Sequence, residues 1–276
     1  MLGTSFQQFS IEALLASASL RSGLTALNKC KYHDKGSFYN AFFQLSIGLE
    51  RFFKIIYVVQ YMIENDLNKP TYIHLRKLGH DISILHQNAV NIAIKYEKRD
   101  KGKWVLNDEQ SAILTMLSEF GKETRYYNLN TIIGDKKLMN DPLEQWNYIL
   151  EYCYWKYTST TKRERLSQEV ISWAERNRLY GFTNEFGLDG HIMTYVDQYL
   201  LNWKVNKISP CIAWEIISML QPYYFLLMRL RDTVQLMEQD KGHCCKVSDE
   251  AAFCLIQRPY ISKTLLTRRI SPRGSP

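Results

Sequence analysis

Residues 37–81 read SFYNAFFQLSIGLERFFKIIYVVQYMIENDLNKPTYIHLRKLGHD, and this stretch decides the fold. Apolar side chains recur almost all the way round the helical period over residues 38–65, which is typical of a helix at the centre of a bundle. Ser37 has the side chain of an N-cap, and residues 66–70 end the helix. A second helix is predicted over residues 71–100. The rest of the chain is expected to pack around this helical hairpin.

The remainder of the chain consists of long amphipathic segments joined by short polar ones. Glycine (13) and proline (7) are scarce for a chain of 276 residues, which favours helices. Pro222 is expected to kink the last helix or to end it at Gln221. The further predicted helices are residues 4–30, 108–126 (with Asn107 as N-cap), 142–157 (after Asp141), 162–180, 191–206 and 210–239, with loops at 128–140 and 181–190.

These helices predict an all-α fold, an up-and-down helical bundle with a C-terminal helical extension. The bundle is assigned to residues 1–130, and the loop after it is the best candidate for a boundary. Residues 141–240 are expected to form the extension and to pack on the bundle. After Gln257 the chain has five basic residues and no acid, so residues 241–276 are interpreted as a basic, poorly ordered tail.

Composition limits the classes of partner. Lys and Arg total 35 against 28 acids, a formal charge of +7, which suits RNA or another polyanion and equally suits an ordinary basic protein. Six cysteines without an export signal fit a reducing compartment, so a cytoplasmic location is expected. Residues 38–63 are the membrane-like stretch, but Glu50, Arg51 and Lys54 fall near its centre. Such charges are costly in a bilayer, so we predict a buried core helix and no membrane partner.

The first candidate site is formed by Arg76, His80 and Asp81. Arg76 and His80 are four residues apart, so a continuous helix places both side chains on one face. Histidine exchanges a proton near neutral pH, and arginine holds a phosphate through two parallel hydrogen bonds. Together they could cleave RNA without a metal, with the 2′-hydroxyl as nucleophile, while Asp81 orients the imidazole or caps a neighbouring helix. The alternative is a close helix crossing at Gly79, where His80 and Asp81 are satisfied polar residues.

The second candidate site lies at the end of the helix predicted over residues 108–126. In one interpretation Arg125 complements the helix dipole and Asn128 is a C-cap. In the other, Arg125 and Asn128 face the His80 turn across the bundle, and Tyr126 is available to stack a base.

The third candidate site is the charged group Glu50, Arg51 and Lys54 within an otherwise apolar helix. Charges in such a helix must be paired or must reach solvent. One alternative is an internal ion pair with Arg76 or Arg125 that lines a polar pocket. The other is a local Glu50–Lys54 pair, spaced i,i+4, on the exposed edge of the helix.

No metal and no cofactor are expected. His74, His80 and His86 are spaced by six residues, about 240° of helical rotation, so they do not share a face. The cysteines lack the paired spacing of zinc ligands, and the sequence has no glycine-rich phosphate loop.

The run AFFQLSIGLERFFKIIYVVQYM (residues 41–62), followed by LRKLGHDISIL (residues 75–85), resembles the HEPN superfamily of prokaryotic defence, toxin–antitoxin and nucleotide-binding systems. The similar features are a "small-x-x-GLER-x-x-K" helix, an extended turn and a "GHD-x-x-x-L" helix, over about residues 4–130. The resemblance implies an up-and-down bundle of four or five helices that often forms a homodimer. Many members are metal-independent endoribonucleases, in which an Arg, a polar residue and a His are separated by four to six positions.

Other members of that superfamily are non-catalytic and bind nucleotides, RNA or a partner nucleotidyltransferase. Here three residues separate Arg76 from His80, and Lys77 stands where Asn, Asp or His is usual. The "GHD" variant is similar to the non-catalytic group.

The resulting hypothesis is an HEPN-like protein of a bacterial defence or accessory system that binds RNA or a nucleotide. Its polar pocket would be built by Arg51, Arg76, His80, Arg125 and Asn128. As an endoribonuclease it would use His80 as the acid or base, with Arg76 or Arg125 as the phosphate clamp. Asp81 and Tyr126 would add substrate contacts. The alternative is a non-catalytic helical interaction or scaffold protein, whose polar residues are mutually satisfied.

Overall fold

The computed structural model describes residues 4–96, 101–134 and 140–241, and over these ranges the chain is predominantly helical, which confirms the all-α bundle. The helices are α1 (Thr4–Lys29), α2 (Lys35–Glu64), α3 (Tyr72–Leu78), α4 (Ile82–Tyr96), α5 (Asp108–Lys122), α6 (Tyr127–Ile132), α7 (Pro142–Tyr157), α8 (Thr160–Arg176) and α9 (Tyr195–Asp240). The strands β1 (Phe182–Phe186) and β2 (Ile192–Thr194) pair antiparallel as a hairpin, and 3-10 turns lie at Lys101–Trp104 and Thr124–Tyr126.

The central element of the bundle is α2, as its apolar pattern predicts. Four phenylalanines of this helix lie in the core: Phe38, Phe42 and Phe52 are fully buried, and Phe53 is 1% exposed. They belong to one continuous cluster of buried apolar side chains that includes residues of α1, α4, α5, α7, α8 and α9. The segment predicted as an extension therefore shares its hydrophobic core with the bundle.

Two glycines bring α1 and α2 into close contact. A Cβ added at Gly23 of α1 would lie 2.6 Å from Cγ of Leu45, and one added at Gly48 of α2 would lie 2.8 Å from Cγ of Leu20. Real Cβ atoms do not approach that closely, so each glycine accommodates a leucine of the other helix. This reciprocal fit fixes the register of the two helices.

The start of α2 differs from the prediction. Asp34, and not Ser37, is the N-cap, since its Oδ1 accepts a hydrogen bond from the Ser37 backbone N–H at 3.2 Å. The Ser37 hydroxyl donates to the Asp34 carbonyl oxygen at 2.6 Å. Both residue types can cap a helix, and the helix begins one turn earlier than expected.

The predicted continuous helix over residues 71–100 is wrong, because the chain breaks between α3 and α4. Gly79 ends α3 with a φ of 67°, a conformation that glycine adopts readily. Asp81 then starts α4 by accepting hydrogen bonds from the backbone N–H groups of Ser83 (3.0 Å) and Ile84 (3.1 Å). Arg76 and His80 consequently do not share a helix face.

The second half of the chain contains one long helix where two were predicted. α9 continues from Tyr195 to Asp240 through Pro210 and Pro222, so the predicted break after residue 206 is wrong. Of the two outcomes expected at Pro222, a kink or an end at Gln221, the end does not occur. Each proline removes one backbone donor. The loss is offset by burial of α9 in the shared core, on both sides of each proline.

The loop predicted over residues 181–190 contains β1, and β2 begins two residues after it. The Thr183 hydroxyl donates to the Met193 carbonyl oxygen at 3.0 Å and ties the two strands together. Other boundaries shift as well: the helix predicted to reach Tyr180 ends at Arg176, and part of the loop predicted at 128–140 is α6. The helix predicted over 108–126 ends at Lys122, and the helix predicted from residue 191 begins at Tyr195. The predicted tail lies outside the described residues from position 242 onward.

Within the described part of the chain, the helix long and apolar enough to cross a membrane is α9. Residues 38–63, the stretch that the sequence indicated as membrane-like, do not meet that criterion. Of its most apolar window, 56% is buried inside the protein, a property that the core helix of a bundle also has.

Candidate functional site at the break between α3 and α4

The imidazole of His80, in the break, reaches back to α2. Its Nδ1 lies 2.9 Å from Oε1 of Glu50, which also accepts a hydrogen bond from Nζ of Lys54 at 2.7 Å. The His80 side chain is 74% exposed and that of Glu50 is 24% exposed. A carboxylate only accepts hydrogen bonds, so Nδ1 of His80 donates and Nε2 is the nitrogen left to exchange a proton.

The charged residues of α2 are paired locally. Lys54 pairs with Glu50 one turn earlier on α2, which is the local i,i+4 interpretation of the sequence. Arg51 extends to α1, where its Nη1 lies 2.7 Å from Oε1 of Glu12. Because these pairs are partly exposed, each contributes little to stability, about 1 kcal/mol or less.

Asp81 caps α4 and does not contact the imidazole of His80. Besides the two backbone N–H groups at the start of α4, its carboxylate accepts hydrogen bonds from the Ser118 hydroxyl (2.9 Å) and from Nζ of Lys122 (2.6 Å), both on α5. Burial acts to raise the pKa of Asp81, but these donors, Lys122 foremost, outweigh burial and hold the pKa below its usual value. Of the two roles suggested by the sequence, the cap is the one that the structure supports.

α3 itself lies on the surface and is positively charged. It has no buried residue, and residues 67–80 contain no Asp or Glu. Tyr72 is 76% exposed, and Arg76, four residues later, lies on the same helix face. Lys69 and Lys77 are exposed as well. We call the group Lys69, Tyr72, Arg76, Lys77 and His80 the α3 surface.

The second predicted group lies elsewhere on the bundle. Arg125 is in the 3-10 turn after α5, with its guanidinium carbon 5.1 Å from the centre of the Tyr126 ring. Asn128 is in α6, where its side-chain amide donates to the Tyr39 hydroxyl at 2.9 Å.

The separation of these groups can be measured along α2. Tyr39 and Glu50 are eleven residues apart on this helix, about 16 Å at 1.5 Å per residue. The Asn128 contact and the His80 contact are therefore at well-separated levels of the bundle. Arg51 pairs towards α1, so the structure brings together His80, Glu50 and Lys54 but not the full predicted pocket.

A cavity that the sequence analysis missed lies between α7, the β1–β2 hairpin and the first turns of α9. Its volume is about 270 Å³. The Glu151–Lys204 ion pair, Asp189 and Asp197 supply polar lining, and Leu188 is among its apolar residues. The Asp189-Gly190 dipeptide is a hairpin-turn signal that could have indicated the strands.

A buried polar cluster between α5, α7 and α9 was also missed. Glu215, which is 9% exposed, accepts hydrogen bonds from the side-chain amides of Asn107 (3.0 Å) and Gln110 (3.1 Å) and from the Tyr157 hydroxyl (2.5 Å). Burial, and then the Glu215 carboxylate, raises the pKa of Tyr157 far above its ordinary value. The cap at Asn107 was visible in the sequence, whereas its partner 108 residues later was not.

Comparisons of the chain with protein-family models, curated proteins and solved structures give no match. Over the residues that the structure describes, no group of three or more His, Cys, Asp or Glu side chains is arranged to hold a metal ion.

Proposed function

We propose that this protein is an HEPN-like RNA-binding protein that contacts the RNA backbone through the α3 surface. The observation that carries the proposal is α3 itself: a helix without buried residues, in a stretch without acids, that exposes basic side chains. Burial in the core does not explain these residues, and a cationic surface of this kind suits phosphate groups.

An aromatic ring on the same helix supports RNA in particular. Tyr72 exposes most of its ring beside Arg76. Single-stranded RNA presents unstacked bases, which stack on aromatic rings and guanidinium planes. An RNA strand that lies along α3 can therefore place a base on Tyr72 and phosphates on Arg76 and Lys77.

Cleavage without a metal is the chemistry that His80 would supply. Glu50 holds Nδ1, so Nε2 can take the proton of a 2′-hydroxyl as that oxygen attacks the adjacent phosphorus. The bond from the phosphorus to the 5′-oxygen of the next nucleotide then breaks, and the imidazolium returns the proton to this 5′-oxygen, which leaves a 2′,3′-cyclic phosphate and a free 5′-hydroxyl. Arg76 would hold the phosphate oxygens. This assignment replaces Asp81 by Glu50 as the residue that orients the imidazole.

Binding is tested with a labelled oligouridine, by fluorescence anisotropy over a series of salt concentrations. The double variant Arg76→Gln/Lys77→Gln is expected to weaken binding and to lower the slope of log affinity against log salt by about 1.4, since each phosphate contact on a single strand contributes about 0.7. The control is Arg21→Gln/Lys29→Gln, which changes two exposed charges on α1. Equal losses in the two double variants would refute the α3 surface as the site.

Cleavage is tested on the same oligomer in the presence of a chelator. If the protein is a nuclease, wild type cuts and His80→Ala does not, while Glu50→Gln cuts more slowly because the imidazole is less well oriented. Binding without any cleavage by wild type would leave an RNA-binding protein and exclude the enzymatic part of the proposal.

A second candidate function is supported by an exposed apolar stripe on α1. Ile11 (49% exposed), Leu14 (44%) and Leu15 (44%) lie with exposed Ala18 at i, i+3, i+4 and i+7, the spacing of a helix face that packs on a partner. Such a face suits a homodimer or a scaffold. Light scattering after gel filtration tests it: Leu14→Glu should give a monomer from a dimeric wild type, and Ile171→Glu on α8 is the control.

A further inference from the structure

The cavity beside the β1–β2 hairpin carries a net negative charge. Glu151 and Lys204 of its lining are paired with each other, and Nζ of Lys204 also lies 4.9 Å from the centre of the Tyr154 ring. The lysine is therefore compensated within the protein. Asp189 and Asp197 are the other carboxylates of the lining, so the cavity attracts a cation.

Each of these two aspartates is held by one carboxylate oxygen and leaves the other open. Oδ1 of Asp189 accepts a hydrogen bond from the His191 backbone N–H at 3.1 Å. Oδ2 of Asp197 accepts from the Thr194 backbone N–H at 3.1 Å and from its hydroxyl at 2.7 Å. The second oxygen of each aspartate has no hydrogen-bond donor among the residues that the structure describes. Two carboxylates with open oxygens suit a guanidinium, which presents five N–H donors in a planar fork.

Apolar surface adjoins these carboxylates. Leu188 (2% exposed) and Met193 (5%) are nearly buried side chains of the lining. Phe186 and Ile192, each 53% exposed, are opposite each other in the pairing of β1 with β2, so they share one face of the hairpin. Ile192 also lines the cavity. A ligand that places a cation in the cavity can therefore cover apolar surface beside it.

The chain contains a segment with the complementary chemistry. After Gln257 it has five basic residues and no acid, and residues 265–270 read LLTRRI. In an extended chain, alternate side chains point to the same side. Leu266, Arg268 and Ile270 would then present an arginine between two apolar side chains, which matches a negative cavity beside an apolar face.

We propose that the C-terminal segment, residues 258–276, binds across the hairpin and inserts Arg268 into the cavity. The binding surface, which we call the hairpin site, consists of Phe186, Asp189, Ile192 and Asp197. The guanidinium bonds to the open oxygens of the two aspartates, and the apolar neighbours of Arg268 cover the phenylalanine and the isoleucine. This surface differs from the α3 surface, and its ligand does not depend on the RNA binding proposed above.

The segment is long enough to reach the hairpin site of its own molecule. Asp197 and Lys241 are 44 residues apart, about 66 Å along α9 at 1.5 Å per residue. Arg268 follows Lys241 by 27 residues, which span about 90 Å when fully extended. At low protein concentration a contact within one molecule is favoured over one between two molecules.

Binding is measured by fluorescence anisotropy with a labelled synthetic peptide of residues 258–276. The receptor is the full chain with Arg268→Gln/Arg269→Gln, whose own segment should not compete. The peptide with Arg268→Gln should bind about tenfold more weakly, at the lower end for hydrogen bonds to charged groups because both aspartates are exposed. The peptide with Arg269→Gln is the matched control, because this side chain points to the opposite side of an extended chain.

The protein side of the contact is tested with two variants of the same receptor. Phe186→Ala should weaken binding about fivefold, since half of the ring remains to be buried, and Phe225→Ala on α9, also 53% exposed, is its control. Asp189→Asn should weaken binding of the wild-type peptide about two- to fivefold but leave binding of the Arg268→Gln peptide unchanged, because the charge has lost its partner. Glu175→Gln, an exposed acid on α8, is the control for that change.

The wild-type chain should bind the labelled peptide more weakly than the receptor does, because its own segment occupies the hairpin site. Equal binding by these two chains would overturn the proposal. Equal losses from Arg268→Gln and Arg269→Gln would also overturn it, since any basic peptide would then suffice. A larger loss from Lys263→Gln in the peptide than from Arg268→Gln would contradict the assignment of Arg268 to the cavity. The α3 surface is tested with RNA, so these outcomes leave it unaffected.

Discussion

Two histidines that are six residues apart in sequence lie in opposite environments, His80 in the break between α3 and α4 and His86 in the core. His80 is exposed and bonded to a carboxylate. His86 is 6% exposed, and its Nε2 lies 2.8 Å from the Tyr223 hydroxyl. Burial lowers the pKa of His86 to about 4. Residue type alone therefore does not identify a candidate reactive side chain, since one imidazole is open to solvent and the other is buried and held neutral.

The largest difference in stability is expected when one side chain in each region is truncated to alanine. Phe53, 1% exposed and packed on the rings of Phe52, His86 and Tyr223, should lose about 3–5 kcal/mol of stability as Phe53→Ala. His80→Ala should change the free energy of unfolding by no more than about 0.5 kcal/mol. Urea denaturation measures both, and a large loss in His80→Ala would show that the break is part of the core.

Acid should destabilise the core through His86. In the unfolded chain this imidazole takes up a proton near pH 6.5, but in the folded protein only near pH 4. Stability therefore falls as the pH is lowered from 6.5 towards 4, by about 3 kcal/mol at most from this group. His86→Phe should reduce the dependence of stability on pH between 6.5 and 4, because the wild type and the variant share all other titrating groups. Parallel curves for wild type and His86→Phe would contradict the assignment.

A smaller effect is expected at the glycine contacts of α2. Gly48→Ala places a Cβ 2.8 Å from Cγ and 2.9 Å from the backbone nitrogen of Leu20, and should cost about 1–3 kcal/mol. The control is Gly121→Ala on α5, where the nearest atom would be Cβ of Ser46 at 3.5 Å. That change should stabilise the protein by up to about 1 kcal/mol through helix propensity. Thermal melting of the two variants should give shifts of opposite sign.

The smallest effect is expected at the cap of α4. Asp81→Ala should cost about 0.5–2 kcal/mol, and Asp81→Asn should recover only the part that a neutral cap supplies, because asparagine also caps a helix but does not carry the charge paired with Lys122. Since the pKa of Asp81 is lowered in the folded protein, its contribution is present above the unfolded value of 3.8 and is lost as the pH falls below it. A cost in Asp81→Ala that is unchanged at pH 3 would argue against a charged cap.

The features that the sequence predicted well are local ones. Asn107 and Asp141 lie beside the helices that they cap, and the apolar period of α2 is visible within a single helix. The break after Gly79 was missed because the segments on both sides of it, α3 and α4, are helical, so the apolar pattern does not mark the turn. The predicted break after residue 206 was wrong, and of the two outcomes expected at Pro222 the end at Gln221 does not occur, because packing in the core overrode these local signals.

For the candidate site, the sequence indicated the residues and the local Glu50–Lys54 pair, but not the partners that are distant in sequence. Glu50 and His80 are thirty positions apart, and Asn128 contacts Tyr39 across 89 positions. Such pairs depend on how α2 packs against the elements around it, which a periodicity does not encode. The HEPN resemblance and the RNA-related function remain predictions for the experiments above.

The length of α9 has a consequence for how the chain folds during synthesis. This helix follows all the other described elements in sequence, yet it covers buried positions on α1, α2, α4 and α5. Until α9 leaves the ribosome, those positions face water, and the N-terminal helices can form only an incomplete core. Contacts across so long a stretch of chain also slow folding. Chaperone dependence during translation should therefore be greatest for this protein before residue 195 emerges, and should fall as α9 docks.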